Sequence, residues 1–405
     1  MERYGLRPAA VGVFGVGPVS AWLPFAAALV ASAFMAWAIG AGSSGATPFA
    51  PAVGANAISV MRAAFIVGLL GFSGAALQGA SVSEAVGSEL VVGLTLPTMA
   101  VIVVLVTAAG LMAIGIVTGY PIATAFTVTG TVIGAGLALG GAPAWPKYAE
   151  IGTMWLLTPF VGSGVAYGIA SVLPRESVDE RDSVPILAAA VGAIVVNIEF
   201  ALLASGEQLA SLSTVIAERF VPGFAGVLGV SLLAAVVVGL AVRVDISHNG
   251  IGGLRRFLLV LGGLVAFSAG ASQVGLAVGP LVPLTEGTML TVSALAAGGG
   301  VGLLVGSWTG APQMIKAVSQ DYASLGPRRS IAALFPSFVL AQIAVLYGIP
   351  VSFNQIMVSA IVGAGAAVGG GDAISRRKIG VTLGAWIGSF ALAFALGYGV
   401  MSLVP

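Results

Sequence analysis

Apolar stretches of bilayer-crossing length recur along this chain, at Ala21 to Gly40, Ala63 to Gly79, Val91 to Val117, Phe224 to Val242 and Val381 to Leu403. A helix needs ~20 residues to cross a ~30 Å hydrocarbon core. Further runs of similar length bring the expected number of transmembrane helices to roughly ten to twelve. A chain in lipid must satisfy its own backbone hydrogen bonds, so only a helical bundle or a closed barrel can result. Unbroken apolarity, in place of alternation with period two, selects helices. The expected fold is therefore an all-α integral membrane protein, multi-pass, in a cell membrane.

Of the 405 residues, 58% are hydrophobic and 8% charged, far from the balance of a soluble domain. The 16 basic and 15 acidic residues leave a net charge of +1 and lie almost entirely between the apolar runs, which argues against nucleic acid as a partner. Without cysteine there is neither a disulfide framework nor a thiolate metal site. The first twenty residues lack a signal-peptide pattern, so the N terminus is expected to be retained. His248, the one histidine, falls in the polar stretch Arg243 to Arg256 and reads as a solvated loop residue.

Arg175, Glu176, Asp179, Glu180, Arg181 and Asp182 make the segment from Pro174 to Pro185 the clearest hydrophilic interruption. It divides the chain into a first transmembrane unit, 1–173, a linker, 174–185, and the remaining helices, 186–405, with a second repeat unit from about 250 to 405. The basic clusters Arg255/Arg256, Arg328/Arg329 and Arg376/Arg377/Lys378 are the strongest positive-inside signals.

Two motifs occur twice. Ala36 to Gly45, followed by Pro51-Ala52-Val53-Gly54, is echoed by Ala266 to Gly275, followed by Gly279-Pro280-Leu281-Val282. Pro121 to Phe126, leading to Gly134-Ala135-Gly136, is echoed by Pro350 to Gln355, leading to Gly363-Ala364-Gly365. Gly40 recurs as Gly270, 230 residues on, and Pro121 as Pro350, 229 residues on. Two unlike motifs displaced by nearly the same distance imply a duplicated unit, expected as two inverted repeats with broken or re-entrant helices.

Interrupted helices at matching places in two halves point to the binding site of a secondary transporter. A break in the membrane frees N–H and C=O groups that are costly in hydrocarbon. An anion at the positive ends of half helices satisfies the freed N–H groups, with glycine allowing close approach and hydroxyls adding donors. The candidate substrate-binding residues are Gly42, Ser43, Ser44, Thr47, Thr124, Ser272, Gln273, Ser352 and Asn354.

At these residues the sequence resembles the inorganic phosphate transporter (PiT) family, whose halves each carry a G-A-N-D-V-A-N-A type signature and later a P-V-S-T-T-H type segment. Gly40-Ala41 and Gly270-Ala271 match the opening, Pro51 to Gly54 and Ala277 to Leu281 the tails, and Val82-Ser83-Glu84 the family's V-T-E. The resemblance implies a secondary-active permease or symporter for inorganic phosphate, with Na+ or H+ as coupling ion, no cofactor, and a homodimer by analogy. Sulfate permeases of the same family are the alternative, and an anion channel is the alternative class.

The chain departs from the family pattern at the signature carboxylates. Gly42-Ser43 and Ser272-Gln273 stand where the family has N-D, Ala46 and Leu276 at the later asparagine, and Phe126 and Gln355 at the histidine. The family aspartates are expected to help hold sodium and to accept a hydrogen bond from protonated phosphate. A site of neutral donors alone, Asn354 among them, would suit sulfate at least as well, since sulfate has no hydroxyl seeking an acceptor.

Asn197 and Glu199 sit in the apolar run Pro185 to Ser205, read either as proton-coupling groups or as polar residues at a packing face or surface. Glu84 and Glu89 read as loop carboxylates or ion ligands, and Gln313, Lys316 and Gln320 as one face of an amphipathic helix. Trp22, Trp145, Trp155 and Trp308 are expected as interfacial anchors. Paired acids, metal-ligand spacings and a nucleophile with a base are missing from the apolar segments, so an enzyme is not expected.

Overall fold

A computed structural model of the protein describes residues 19–175, 179–205, 208–323, 325–369 and 375–404. In chain order the helices are α1 (Val19–Gly42), α2 (Ala50–Gly54), α3 (Val60–Gln78), α4 (Ala80–Ser88), α5 (Thr98–Thr118), α6 (Thr124–Ala138) and α7 (Trp145–Val172). They continue as α8 (Glu180–Val196), α9 (Leu212–Phe220), α10 (Phe224–Asn249), α11 (Ile251–Val278), α12 (Val292–Thr309), α13 (Ala311–Asp321), α14 (Pro327–Leu346), α15 (Phe353–Gly369) and α16 (Arg376–Leu403). A 3-10 segment, Gly279–Thr285, follows α11. Two small antiparallel hairpins pair Val91–Val92 with Ala142–Pro143 and Glu199–Ser205 with Gln208–Ser211.

Among the described residues nine helices are long and apolar enough to cross a membrane, and α6 and α15 are shorter apolar helices. The protein is a multi-pass helical membrane protein. α11 and α14 are the most enclosed, whereas α7, α10 and α16 turn most of their apolar surface outward, where lipid is its solvent.

The elements recur in order. The series α1, α2, α3, α4, α5, α6, α7 has the same sequence of lengths and breaks as α11, the 3-10 segment, α12, α13, α14, α15, α16. Val60 answers to Val292, Ala80 to Ala311, Thr124 to Phe353 and Trp145 to Arg376, at displacements close to that of the two motifs. The α8 to α10 segment lies between the two series. Contacts are reciprocal as well: α1 packs along α12 and α11 along α3, while α6 packs along α16 and α15 along α7.

Glycine makes these crossings close. A Cβ on Gly270 would stand 1.9 Å from Gly71 O, and one on Gly306 would stand 2.1 Å from Trp37 O. Such approach maximises van der Waals packing where lipid tails remove the hydrophobic drive for helix association.

Three boundaries differ from the sequence expectation. The polar stretch Arg243 to Arg256 is helical on both sides of Gly250, whose φ of 50° turns the chain in a single residue, so His248 lies on the last turn of α10 with Nδ1 at 2.8 Å from Val244 O. Of Pro174 to Pro185, the part from Glu180 is already α8, capped by the Asp179 carboxylate accepting from Arg181 N at 2.8 Å; Glu176 lies outside the described residues. In Pro185 to Ser205 the helix stops at Val196, because Asn197 turns the chain and donates to Ala193 O and Ser231 Oγ. Glu199 is therefore exposed on a strand and does not belong to a spanning helix.

The α8, α11 and α14 starts share a cavity of about 310 Å³ lined by Glu180, Leu254, Arg328 and Arg329, with Arg328 paired to Glu180. Lys378, at the start of α16, pairs with Asp321 at 2.8 Å and lies over the Tyr120 ring.

Candidate functional site

α1 ends because Gly42-Ser43-Ser44-Gly45 cannot hold a helix against the competing turn. Ser43 N still reaches Ile39 O at 2.8 Å, but Ala46 N, Thr47 N and Thr47 Oγ1 all donate back to Ser43 O. The chain then re-enters a helix at Ala50-Pro51, where proline's missing N–H costs nothing.

The matching break in the second half falls later than the sequence reading placed it. α11 is continuous through Ser272 and Gln273 and changes to the 3-10 segment only at Gly279-Pro280. Alanine, glutamine and leucine favour helix, and the ladder yields at Pro280, which has no N–H to donate. Gln273 is thus presented from the side of a helix, and Ser43 from a broken tip.

Extended lead-ins, Pro121 to Ala123 and Pro350 to Ser352, feed the first turns of α6 and α15. Two tryptophans fix them reciprocally. Trp155 Nε1, on α7, donates to Pro350 O at 2.9 Å, and Trp386 Nε1, on α16, donates to Pro121 O at 2.8 Å. Trp155 is therefore part of the site's backing and not an interfacial anchor; its ring stacks on Phe126 at 3.9 Å between centroids. Trp145 is 71% exposed at the end of α7, as an anchor would be. The sequence reading missed Trp386, although it stands 231 residues after Trp155, the displacement of the repeated motifs.

The four segments meet. Ser43 Oγ donates to Gln273 Oε1 at 3.3 Å, and Gln273 Nε2 donates to Val351 O at 2.6 Å. Asn354 Nδ2 donates to both Gly42 O at 2.9 Å and Ile122 O at 2.8 Å, tying the end of α1 to the α6 lead-in. Gln355 Nε2 donates to Trp155 O at 2.8 Å. Each of these amides points its NH₂ at a main-chain carbonyl, which can only accept, so the amide orientation is set by chemistry. Asn354 Oδ1, Gln355 Oε1 and Thr124 Oγ1 are buried without a hydrogen-bond partner.

Gly42, Ser43, Gln273 and Asn354 are thus brought together, with Thr124 two residues beyond the tied Ile122. Ser44 is buried in the turn after Ser43. Thr47 and Ser272 bond their own backbone, at Ser43 O and Ala269 O, and Ser352 Oγ accepts from Gln355 N at the start of α15. The expectation that Asn354 is a donor to substrate is corrected, because both of its N–H bonds are engaged by carbonyls. Ala123 supplies no side-chain cap to the first N–H groups of α6.

Glu84 is exposed on α4, and Glu89 pairs with Lys147 at 2.8 Å. Gln313, Lys316 and Gln320 face outward on α13 while Met314, Ile315 and Val318 are buried, as an amphipathic helix requires. Among the described residues no group of three or more His, Asp or Glu side chains could hold a metal ion.

A family model described as the phosphate transporter family matches residues 39–397. A protein of Thermococcus kodakarensis, provisionally named a phosphate permease, is 25% identical over 360 residues, 83% of this chain and 86% of its own. The chloroplastic inorganic phosphate transporter 2-1 of Arabidopsis thaliana is 24% identical over 396 residues, 85% of this chain and 66% of its own. A solved structure described as the sodium-dependent phosphate transporter superposes with a TM-score of 0.75 at 21% identity, over 94% of this chain and 97% of the other.

Proposed function

Because this chain belongs to the phosphate transporter family, we propose that it is a secondary-active carrier of inorganic phosphate whose anion site lies where α1, α6, α11 and α15 meet. The observation that carries this reading is the contact of Ser43 with Gln273, two residues at corresponding places in the repeated series. A duplicated unit that brings corresponding positions of its two copies into contact, a broken tip in one and the side of a helix in the other, builds one site between two halves, as alternating access requires. α1 advances from Ser32 to Ser43 as its partners on α11 step back from Ala277 to Gln273, which supports inverted halves.

The site works through helix ends. The uncapped N-terminus of α6 and the positive dipole end of α15 face an anion, with the Thr124 hydroxyl as a further donor. Every site residue is enclosed, which excludes water and strengthens those bonds. Rocking one half against the other opens the site to either side in turn.

Proton is the coupling ion in this reading, with sodium the alternative. Ser43 and Gln273 provide no carboxylate for sodium, and Gly42 O and Ile122 O, two oxygens suited to a cation, are already bonded to Asn354. The sodium named for the structural neighbour belongs to that protein.

The test is uptake of labelled phosphate by the purified protein in liposomes under imposed sodium or proton gradients. Saturable uptake with counterflow is expected, stimulated by an inward proton gradient. Unsaturable flux without counterflow would make the protein an anion channel.

A further inference from the structure

We propose that Asn354 and Gln355 select a protonated oxyanion: their side-chain oxygens accept a hydrogen bond from the hydroxyl of hydrogenphosphate, so that the site takes phosphate and rejects sulfate. This deepens the phosphate-carrier reading and rests on it.

The argument starts from orientation. Asn354 Nδ2 lies between Gly42 O and Ile122 O, at 2.9 and 2.8 Å, and Gln355 Nε2 lies 2.8 Å from Trp155 O. Flipping either amide would set oxygen against oxygen, so the NH₂ groups stay where they are. Asn354 Oδ1 and Gln355 Oε1 are then left as buried acceptors without a partner, on consecutive residues of the first turn of α15. Asn354 is fully enclosed and Gln355 is 3% exposed.

A buried acceptor in an anion site is a liability unless the anion brings a hydrogen. Hydrogenphosphate does, and sulfate brings only more acceptors, which repel the amide oxygens. One oxyanion thus finds donors at the helix ends and acceptors at Asn354 and Gln355, while the other finds donors alone. A cation is the competing ligand for such oxygens. It would find two neutral amide oxygens without the adjacent carbonyls, which falls short of the six or more ligands a hard cation gathers. The selectivity expected of an aspartate in the family signature is, in this chain, assigned to amide oxygens on a different helix.

The experiment is competition against labelled phosphate uptake in liposomes containing the wild-type protein. Arsenate carries a hydroxyl and should compete as well as unlabelled phosphate. Sulfate, and monofluorophosphate, which has fluorine in place of the hydroxyl at the same charge, should need at least roughly tenfold higher concentration, since an acceptor is left unpaired. Equal competition by monofluorophosphate overturns the proposal. In Asn354→Leu the gap between phosphate and sulfate should shrink severalfold, and in Asn354→Thr, whose hydroxyl still accepts, part of it should return. Full discrimination in Asn354→Leu also overturns it. Should the leucine variant not fold, the wild-type competition decides alone. A wild-type protein that takes up no phosphate refutes the carrier reading, whereas uptake without discrimination refutes only this inference.

Discussion

Ser43 Oγ donates to Gln273 Oε1 across 3.3 Å, joining residues 230 positions apart, one on a broken helix tip and the other on an unbroken helix. Gln273 in turn holds Val351 O at 2.6 Å, so one side chain links α1, α11 and the lead-in to α15. Gln273→Leu should therefore lower phosphate uptake at least tenfold and cost ~1–3 kcal/mol of stability, the penalty for a buried carbonyl left unpaired. Ser43→Ala removes a longer bond and should cost about 1 kcal/mol or less. Thermal unfolding in detergent, read beside liposome uptake, separates the two effects. A Gln273→Leu protein with wild-type uptake would show that the contact is incidental.

The helix crossings make a prediction about folding. Gly270→Val places a side chain where Gly71 O already stands 1.9 Å from the added carbon, and backbone cannot yield as a flexible side chain does. Overpacking on that scale should cost about 3 kcal/mol or more and remove the monodisperse peak from size-exclusion chromatography. Gly298→Ala, with nothing within 4 Å of the added carbon, should elute as wild type and gain slightly from helix propensity.

Tryptophan substitutions test the reciprocal pinning of the two lead-ins. Trp386→Phe keeps most of the packing but leaves Pro121 O without its indole donor, and Trp155→Phe does the same to Pro350 O while keeping the stack on Phe126. Each should cost about 1 kcal/mol in stability and reduce maximal uptake more than affinity, because the lead-ins must move together. Trp145→Phe, at an exposed position, should leave uptake unchanged.

Much of this was legible in the residues. Apolar length gave the membrane class directly, and the common displacement of Gly40 to Gly270 and of Pro121 to Pro350 gave the duplication, which reappears as the matched order of elements. Turn chemistry placed the α1 break correctly at Gly42 to Thr47. It misplaced the second, because the alanines, Gln273 and Leu276 around Ser272 favour helix and only Pro280 forces a change. The orientation of the Asn354 amide was not legible: it depends on which carbonyls come near, and Gly42 and Ile122 lie more than two hundred residues away in sequence. Trp155 and Trp386 were hidden for a related reason. A tryptophan in an apolar run reads as an anchor until a distant proline carbonyl claims its N–H.

A carboxylate restored at Ser43 tests the coupling assignment. Ser43 is fully buried, and its hydroxyl donates to the neutral oxygen of Gln273. In Ser43→Asp the charged form is penalised by desolvation. Protonating the carboxyl removes that penalty. Stability and uptake of the variant should therefore improve as pH falls, opposite to a protein whose paired carboxylates lose their charge in acid. A cation offers a second route to neutralisation. If the Ser43 position is where a carboxylate gathers sodium, added sodium should raise uptake by the variant at neutral pH and leave the wild-type protein unaffected. Uptake measured over pH at fixed potassium, then with sodium replacing potassium, gives both readings; wild-type stimulation by sodium equal to that of the variant would return sodium to the role assigned here to the proton.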